Sequence, residues 1–254
     1  MIGFIWQWIR SLAFVLQMYL MMVVLGVVFT PWAIVDRRGA FAGIRTYCRW
    51  VRWTADWMVG LRSEIRGPIP HGEVLVASKH QSFFDIILIC SVLPRPKFIM
   101  KRELIRAPIL GWYALRIGCV PVDRGKRGQA IIKMLADVKA GVSGPGQLII
   151  YPQGTRVAPE AWVPYKVGTA LIYGESRQDC VPAATNVGVF WPRRGIYRKP
   201  GTAVVAFLTP IRPGLETDAF MERLETTIET ASNALMAEGG LPPERLPHPP
   251  VRSV

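Results

Sequence analysis

Val74-Leu-Val-Ala-Ser-Lys-His-Gln-Ser-Phe-Phe-Asp85 joins a short apolar run to a histidine and a carboxylate. Residues 74–77 have the length and branched apolar character of a buried strand. The apolar stretch over 83–92 that follows has the length of a helix. A strand passing into a helix is the unit from which α/β folds are built. The alternation continues outward. Further strands are expected over 98–100, 119–122, 148–151, 181–186 and 204–208, and helices near 129–140, 168–175 and 219–237. The pattern predicts an α/β fold: a largely parallel, mixed sheet flanked by helices, spanning residues 67–240 and ending in a Pro-rich tail over 241–254.

His80 and Asp85 are the chemically informative pair in that stretch. An aspartate that accepts one ring N–H fixes the tautomer of the imidazole and raises the basicity of the other nitrogen, the arrangement of a general base and its orienter. By itself the pair is equally consistent with a helix-capping aspartate beside a solvated histidine. The segment Gly141-Val-Ser-Gly-Pro145 lacks the G-x-S-x-G pattern of a serine nucleophile elbow. No metal is implied, because His71, His80 and His248 are too dispersed to form a site.

Length and composition narrow the setting. The chain has 254 residues, room for one sizeable α/β domain and an appendage. Half of its residues are hydrophobic and its mean hydropathy is +0.24, high for a freely soluble enzyme. A net charge of +13 suits an anionic partner, and in so apolar a chain a lipid surface fits better than nucleic acid. Cys48, Cys90, Cys119 and Cys180 are scattered in apolar contexts, as expected of reduced core residues.

The first 66 residues form the membrane-associated part. Residues 12–35 are almost wholly apolar and, as a helix, reach about one hydrocarbon core of roughly 30 Å. Trp6, Trp8, Arg10, Trp32, Arg37 and Arg38 flank them as interfacial anchors. Arg45, Arg49 and Arg52 then recur at helical spacing among Trp50, Trp53 and Trp57, the pattern of an amphipathic helix lying in the headgroup plane. Both a spanning segment and a monotopic hairpin, which Pro31 would favour, satisfy this sequence. The basic residues that follow the apolar segment place the remainder on the cytoplasmic side of the inner membrane.

Three further segments follow in order: Gly118-Cys-Val-Pro-Val-Asp-Arg124, Tyr151-Pro-Gln-Gly-Thr-Arg156 and Cys180-Val-Pro-Ala-Ala-Thr-Asn186. With His80–Asp85 they resemble the four blocks of the glycerolipid acyltransferase family, in particular bacterial 1-acyl-sn-glycerol-3-phosphate acyltransferases, over roughly residues 70 to 215. The resemblance implies transfer of an acyl group to lysophosphatidic acid, with no acyl-enzyme and no cofactor. The donor would be acyl-CoA or acyl-carrier protein. It implies that His80 and Asp85 are catalytic and that Arg124 and Arg156 bind the acceptor phosphate, with Gly154, Thr155 and, through hydrogen bonding, Gln153 contributing to substrate binding; Lys101, in Met100-Lys-Arg-Glu103, is a further candidate near the site. Guanidinium suits that role because its fork donates two parallel hydrogen bonds to phosphate oxygens. One departure stands out: Gln153 occupies the position where the family usually carries glutamate. An amide cannot serve as an acid or base at neutral pH. Other acceptors, glycerol 3-phosphate or lyso-ornithine lipid, and a non-catalytic lipid-binding module are the alternatives. The patches Leu110-Gly-Trp-Tyr113 and Phe190-Trp191 are open to reading as acyl-chain guides, membrane contacts or ordinary core.

Overall fold

A computed structural model describes residues 2–122, 136 and 145–248 of the chain. Two helices come first, α1 (Ile2–Val35) and α2 (Arg37–Val59), packed antiparallel. The turn between them is tight. Asp36 caps α2 by accepting from the Arg38 N–H at 2.8 Å. A Cβ on Gly39 would lie 2.6 Å from the Ala33 backbone nitrogen, so only glycine fits this crossing. Phe14 and Met18 of α1 and Val51, Ala55 and Val59 of α2 recur three or four residues apart, and each set forms one buried stripe.

α1 lies along the rest of the molecule from end to end. Near its start, the Gln7 amide donates to the carbonyls of Val59 and Arg198 at 2.8 and 2.9 Å. Near its finish, the Arg116 guanidinium donates to Ala33 O at 2.8 Å. Residues 12–35 lie within this one continuous helix and do not fold back at Pro31; the hairpin is the one that α1 makes with α2. α1 is the one described helix long and apolar enough to cross a membrane, and its outer face exposes Trp6, Leu16, Leu20, Val27, Val28 and Ile34.

The sheet has seven strands: β1 (Leu61–Arg66), β2 (Val74–Ser78), β3 (Pro96–Lys101), β4 (Val120–Val122), β5 (Gln147–Ile150), β6 (Cys180–Thr185) and β7 (Gly201–Phe207). They lie in the order β1-β7-β6-β2-β5-β3-β4, and every neighbouring pair is parallel except β6 with β7. This is the largely parallel mixed sheet that the alternating pattern predicts. β1 falls in residues 61–66, which the sequence groups with the membrane-associated helices; here it is an edge strand paired with β7.

The remaining helices are α3 (Phe83–Val92), α4 (Leu110–Arg116), α5 (Gly168–Ser176), a single turn α6 (Val187–Phe190) and α7 (Thr217–Glu238). Helices cover both faces of the sheet, and the strands show it residue by residue. Val76, Ile149 and Val181 pack toward α2 and α3, whereas Leu75, Ala77, Leu148 and Ile150 pack toward α5 and α7. All four cysteines are buried and unpaired. The expected helix near 129–140 lies, but for residue 136, outside the described residues. In the C-terminal stretch, the described part packs on the domain through buried Leu241 and a hydrogen bond from the Asn233 amide to Pro247 O.

Candidate active site

In a parallel sheet, ligands gather beyond the carboxyl ends of the strands. His80 follows β2, Tyr151 follows β5, Lys101 ends β3 and Asn186 follows β6, so the motif loops emerge on that edge together. β2 and β5 are neighbours, with Ala77 opposite Ile150. That register brings His80 against Tyr151.

His80 Nδ1 lies 3.0 and 3.1 Å from the two carboxylate oxygens of Asp85. The aspartate is fully buried and the histidine side chain is 14% exposed, so the pair sits at the boundary between core and cavity. Asp85 also accepts the backbone N–H groups of Gln81 and Ser82, both at 2.8 Å, and the Tyr151 hydroxyl at 3.4 Å. Ser82 in turn is the N-cap of α3, and Asp85 completes its capping box. The helix-capping and histidine-orienting readings of this aspartate are therefore both true: one carboxylate starts the helix and holds the imidazole. With Nδ1 committed to Asp85, Nε2 is the nitrogen left to take a proton.

Tyr151 stacks on the His80 ring, centroids 3.9 Å apart and 19° from parallel. Burial, with Asp85 beside it, holds its phenol well above the ordinary value, so it remains a neutral donor. The loop backbones are tied as well. The His80 carbonyl accepts from Val157 N–H at 2.8 Å, and the Gln81 side-chain carbonyl accepts from Gly188 N–H at 2.9 Å. Just before the histidine, Lys79 is fully buried and pairs with Glu229 of α7, whose other oxygen accepts from Tyr165 at 2.9 Å. Removing one partner of such a pair would strand a buried charge.

A cavity of about 570 Å³ runs from His80 between the helical hairpin and the sheet. Its walls include Met22 and Leu25 of α1, Ile44 of α2, Ile87 of α3, and Tyr113 and Ile117. Among the described residues, the charged side chains lining it are Lys101, Arg156 and Arg193, all cationic. Lys101 also pairs with Glu103 at 3.0 Å. Thr155 lines the cavity beside Arg156. Gly154 does not, but it makes their turn: its φ is +66°, and its N–H donates to Tyr151 O at 2.8 Å. Gln153 points away from the cavity lining; it is 1% exposed, and neither end of its amide has a hydrogen-bond partner among the described residues. Arg124 lies outside the described residues. The apolar patches divide: Tyr113 lines the cavity, Leu110 does so while half exposed, Trp112 faces outward, and Phe190 and Trp191 are core.

An α/β fold with its motif loops gathered at one sheet edge is shared with acyl-transfer enzymes. A family model described as Acyltransferase matches residues 61–186. A 1-acyl-sn-glycerol-3-phosphate acyltransferase of Pseudomonas aeruginosa is 25% identical over 208 residues, 81% of this chain and 81% of that one. The 1-acyl-sn-glycerol-3-phosphate acyltransferase alpha of Homo sapiens is 27% identical over 192 residues, 72% of this chain and 68% of the relative. Among solved structures, the 1-acyl-sn-glycerophosphate (LPA) acyltransferase of Thermotoga maritima shares the fold, with a TM-score of 0.74 over 90% of this chain and 98% of that one at 19% identity. The chain belongs to the glycerolipid acyltransferase family and is an acyltransferase acting on a glycerolipid acceptor.

Sequence reasoning assigns no role to three residues at the site: Tyr151 as a partner of His80, Lys79 as its buried anchor, and Arg193. Tyr151 and Lys79 flank recognised positions, and a lysine inside an apolar strand-to-helix segment is itself a signal of pairing. Arg193 carries no such signal, because only the fold returns its loop to the cavity.

Proposed function

We propose that the protein transfers an acyl group from a thioester, acyl-CoA or acyl-carrier protein, to the sn-2 hydroxyl of 1-acyl-glycerol-3-phosphate, giving phosphatidic acid. The observation that carries this reading is the His80–Asp85 pair bordering an apolar cavity whose charged lining, among the described residues, is cationic. His80 Nε2 takes the hydroxyl proton as that oxygen attacks the thioester carbonyl, and Asp85 stabilises the imidazolium. The C–S bond breaks, the proton passes to the departing sulfur, and no acyl-enzyme forms. General-base assistance of this kind is worth about 10²–10⁴ in rate. The cavity's volume is that of a small-molecule site, and its aliphatic walls suit a hydrocarbon chain. Arg124 and Arg156 receive the acceptor phosphate, with Thr155 as a hydroxyl donor, Gly154 shaping the turn and Lys101 adding charge. Gln153 is buried beside that turn and its amide has no hydrogen-bond partner among the described residues, which leaves it free to bond an acceptor oxygen.

The exposed apolar face of α1 supports a lipid-surface location for this machinery. The outer apolar face of α1, with Trp53 and Trp57 of α2, enters one leaflet of the cytoplasmic membrane, and the sheet domain rests on its cytoplasmic side. That arrangement divides the chain into membrane-associated helices up to Val59, an acyltransferase domain that takes in β1 together with residues 67–240, and a terminal stretch over 241–254.

The test is acyl transfer by purified protein in detergent to lysophosphatidic acid, glycerol 3-phosphate or lyso-ornithine lipid, beside His80→Ala. His80-dependent product from lysophosphatidic acid is the expected outcome. Preference for a phosphate-free acceptor would leave the mechanism and remove the phosphate roles. No transfer to any of the three would point to a lipid-binding module.

A further inference from the structure

Arg193 belongs to none of the four sequence blocks, yet it lines the same cavity as His80, Thr155 and Arg156. An exposed arginine on a loop is ordinarily a solvated charge. This one is held in place. Arg193 Nη1 donates to the Arg156 carbonyl at 3.2 Å, and Arg156 Nη1 donates to the Arg193 carbonyl at 3.4 Å. The two arginines are thus tied reciprocally through their backbones, and among the described residues neither guanidinium is paired with a carboxylate. Two like charges kept together without a counter-ion repel, and a bound anion would relieve that repulsion.

The loop bearing Arg193 is also anchored on both sides. Trp191 is buried against Phe84 of α3, centroids 4.9 Å apart, and meets Phe14 of α1 edge-on at 5.6 Å. Arg198 is buried with its guanidinium 4.0 Å above the Trp191 ring, and its N–H donates to Ser11 of α1 at 2.9 Å. Short fixed spans on either side limit how far Arg193 can wander, so little ordering remains to be done on binding.

We propose that Arg193 is a specificity-determining residue that joins Arg156 in clamping the phosphate monoester of the acceptor. This rests on the acceptor assignment made under the proposed function. It adds that the family arginines are not sufficient: a further guanidinium comes from the loop after α6, which the membrane-facing helix α1 holds in position. A phosphate monoester is dianionic near neutral pH and offers three oxygens, enough for two guanidinium forks. The same chemistry could come from the phosphates of coenzyme A, so donor and acceptor are tested separately.

His80→Ala protein in detergent, which binds without turning over, is titrated calorimetrically with 1-acyl-glycerol-3-phosphate, glycerol 3-phosphate and coenzyme A, with and without Arg193→Gln. The expected result is at least about tenfold weaker binding of both phosphate monoesters, with coenzyme A affinity within about twofold and an unchanged unfolding midpoint. Arg193→Lys should recover part of the loss, since it restores charge but not the fork. Unchanged monoester affinity overturns the proposal, and so does a loss confined to coenzyme A. Turnover by wild-type protein reports on the acceptor assignment independently. If only a phosphate-free acceptor is acylated, that assignment fails, while the glycerol 3-phosphate titration still decides whether Arg193 builds an anion site.

Discussion

Asp85 carries two tasks on one carboxylate, and that makes Asp85→Asn more informative than an alanine. Oδ2 accepts the Gln81 and Ser82 N–H groups, Oδ1 accepts the Tyr151 hydroxyl, and His80 Nδ1 lies against both, marginally nearer Oδ1. An asparagine must keep its carbonyl toward the two backbone donors, which turns its NH₂ toward the imidazole. Nδ1 then has to accept, the ring proton moves to Nε2, and the base is lost with the fold intact. Turnover is expected to fall by about 10³–10⁴ while the thermal midpoint moves little. Equal turnover in wild type and variant would mean that Asp85 serves only the helix cap. Half of this arrangement is legible in the sequence: the His80–Asp85 spacing shows the pair, but the stacked Tyr151 depends on β2 and β5 being neighbours, and no local pattern states which strands pair.

At the scale of elements, what the sequence shows well is periodicity and what it hides is partnership. Six strands follow from short apolar runs because both faces of a central parallel strand are buried, as in Val74–Ser78. β1 escapes because Leu61-Arg-Ser-Glu-Ile-Arg66 is an edge strand with half of its residues charged, which weakens the apolar alternation. α4 and the 3-10 turn Arg102–Arg106 escape because they are too short for a helical period to register. α2 is the clearest success. Its arginines and tryptophans predict an amphipathic helix, and in the structure Trp53 and Trp57 are exposed, their rings 5.8 Å apart and tilted by 56°, while Val51, Ala55 and Val59 are buried. Exposed indoles next to buried neighbours need an apolar or interfacial partner. Replacing both with serine should weaken partition of the protein onto anionic vesicles by about tenfold or more, read by co-flotation, without loss of secondary structure. Retention of full binding would leave α1 as the sufficient anchor.

The whole molecule buries ionisable groups that the chemistry does not use, and this sets how its stability depends on pH. Burial pushes Cys119 and Cys180 up to about 12, and a hydrogen bond with the neighbouring Cys48 thiol, reinforced by burial, holds Cys90 well above its usual value. Tyr47, Tyr151 and Tyr165 are raised too, in each case chiefly by burial. In the unfolded chain thiols ionise near about 8.5 and phenols near about 10. Above those values the unfolded state has released protons that the folded state keeps, so the folded state binds more protons and stability falls as pH rises. The stability these groups contribute is complete below about pH 8 and is lost from there upward. Each thiol accounts for about 1.4 kcal/mol by pH 9.5, and the phenols add to the loss beyond pH 10. Lys97 and Arg198 are lowered by burial and run the other way, but Arg198, at about 10, enters only at the top of that range. On the acid side, Glu64 and Glu238 are held low by Arg66, yet both are fully exposed and screened by solvent, so the alkaline limb is the steeper one. Urea unfolding in detergent between pH 7.5 and 9.5 should therefore show a midpoint that drops steadily with pH. In a Cys119→Ala/Cys180→Ala variant the slope should be shallower, because two of the three shifted thiols are gone. A midpoint flat across that interval in both proteins would mean that water reaches these thiols and that the core described around them is not closed.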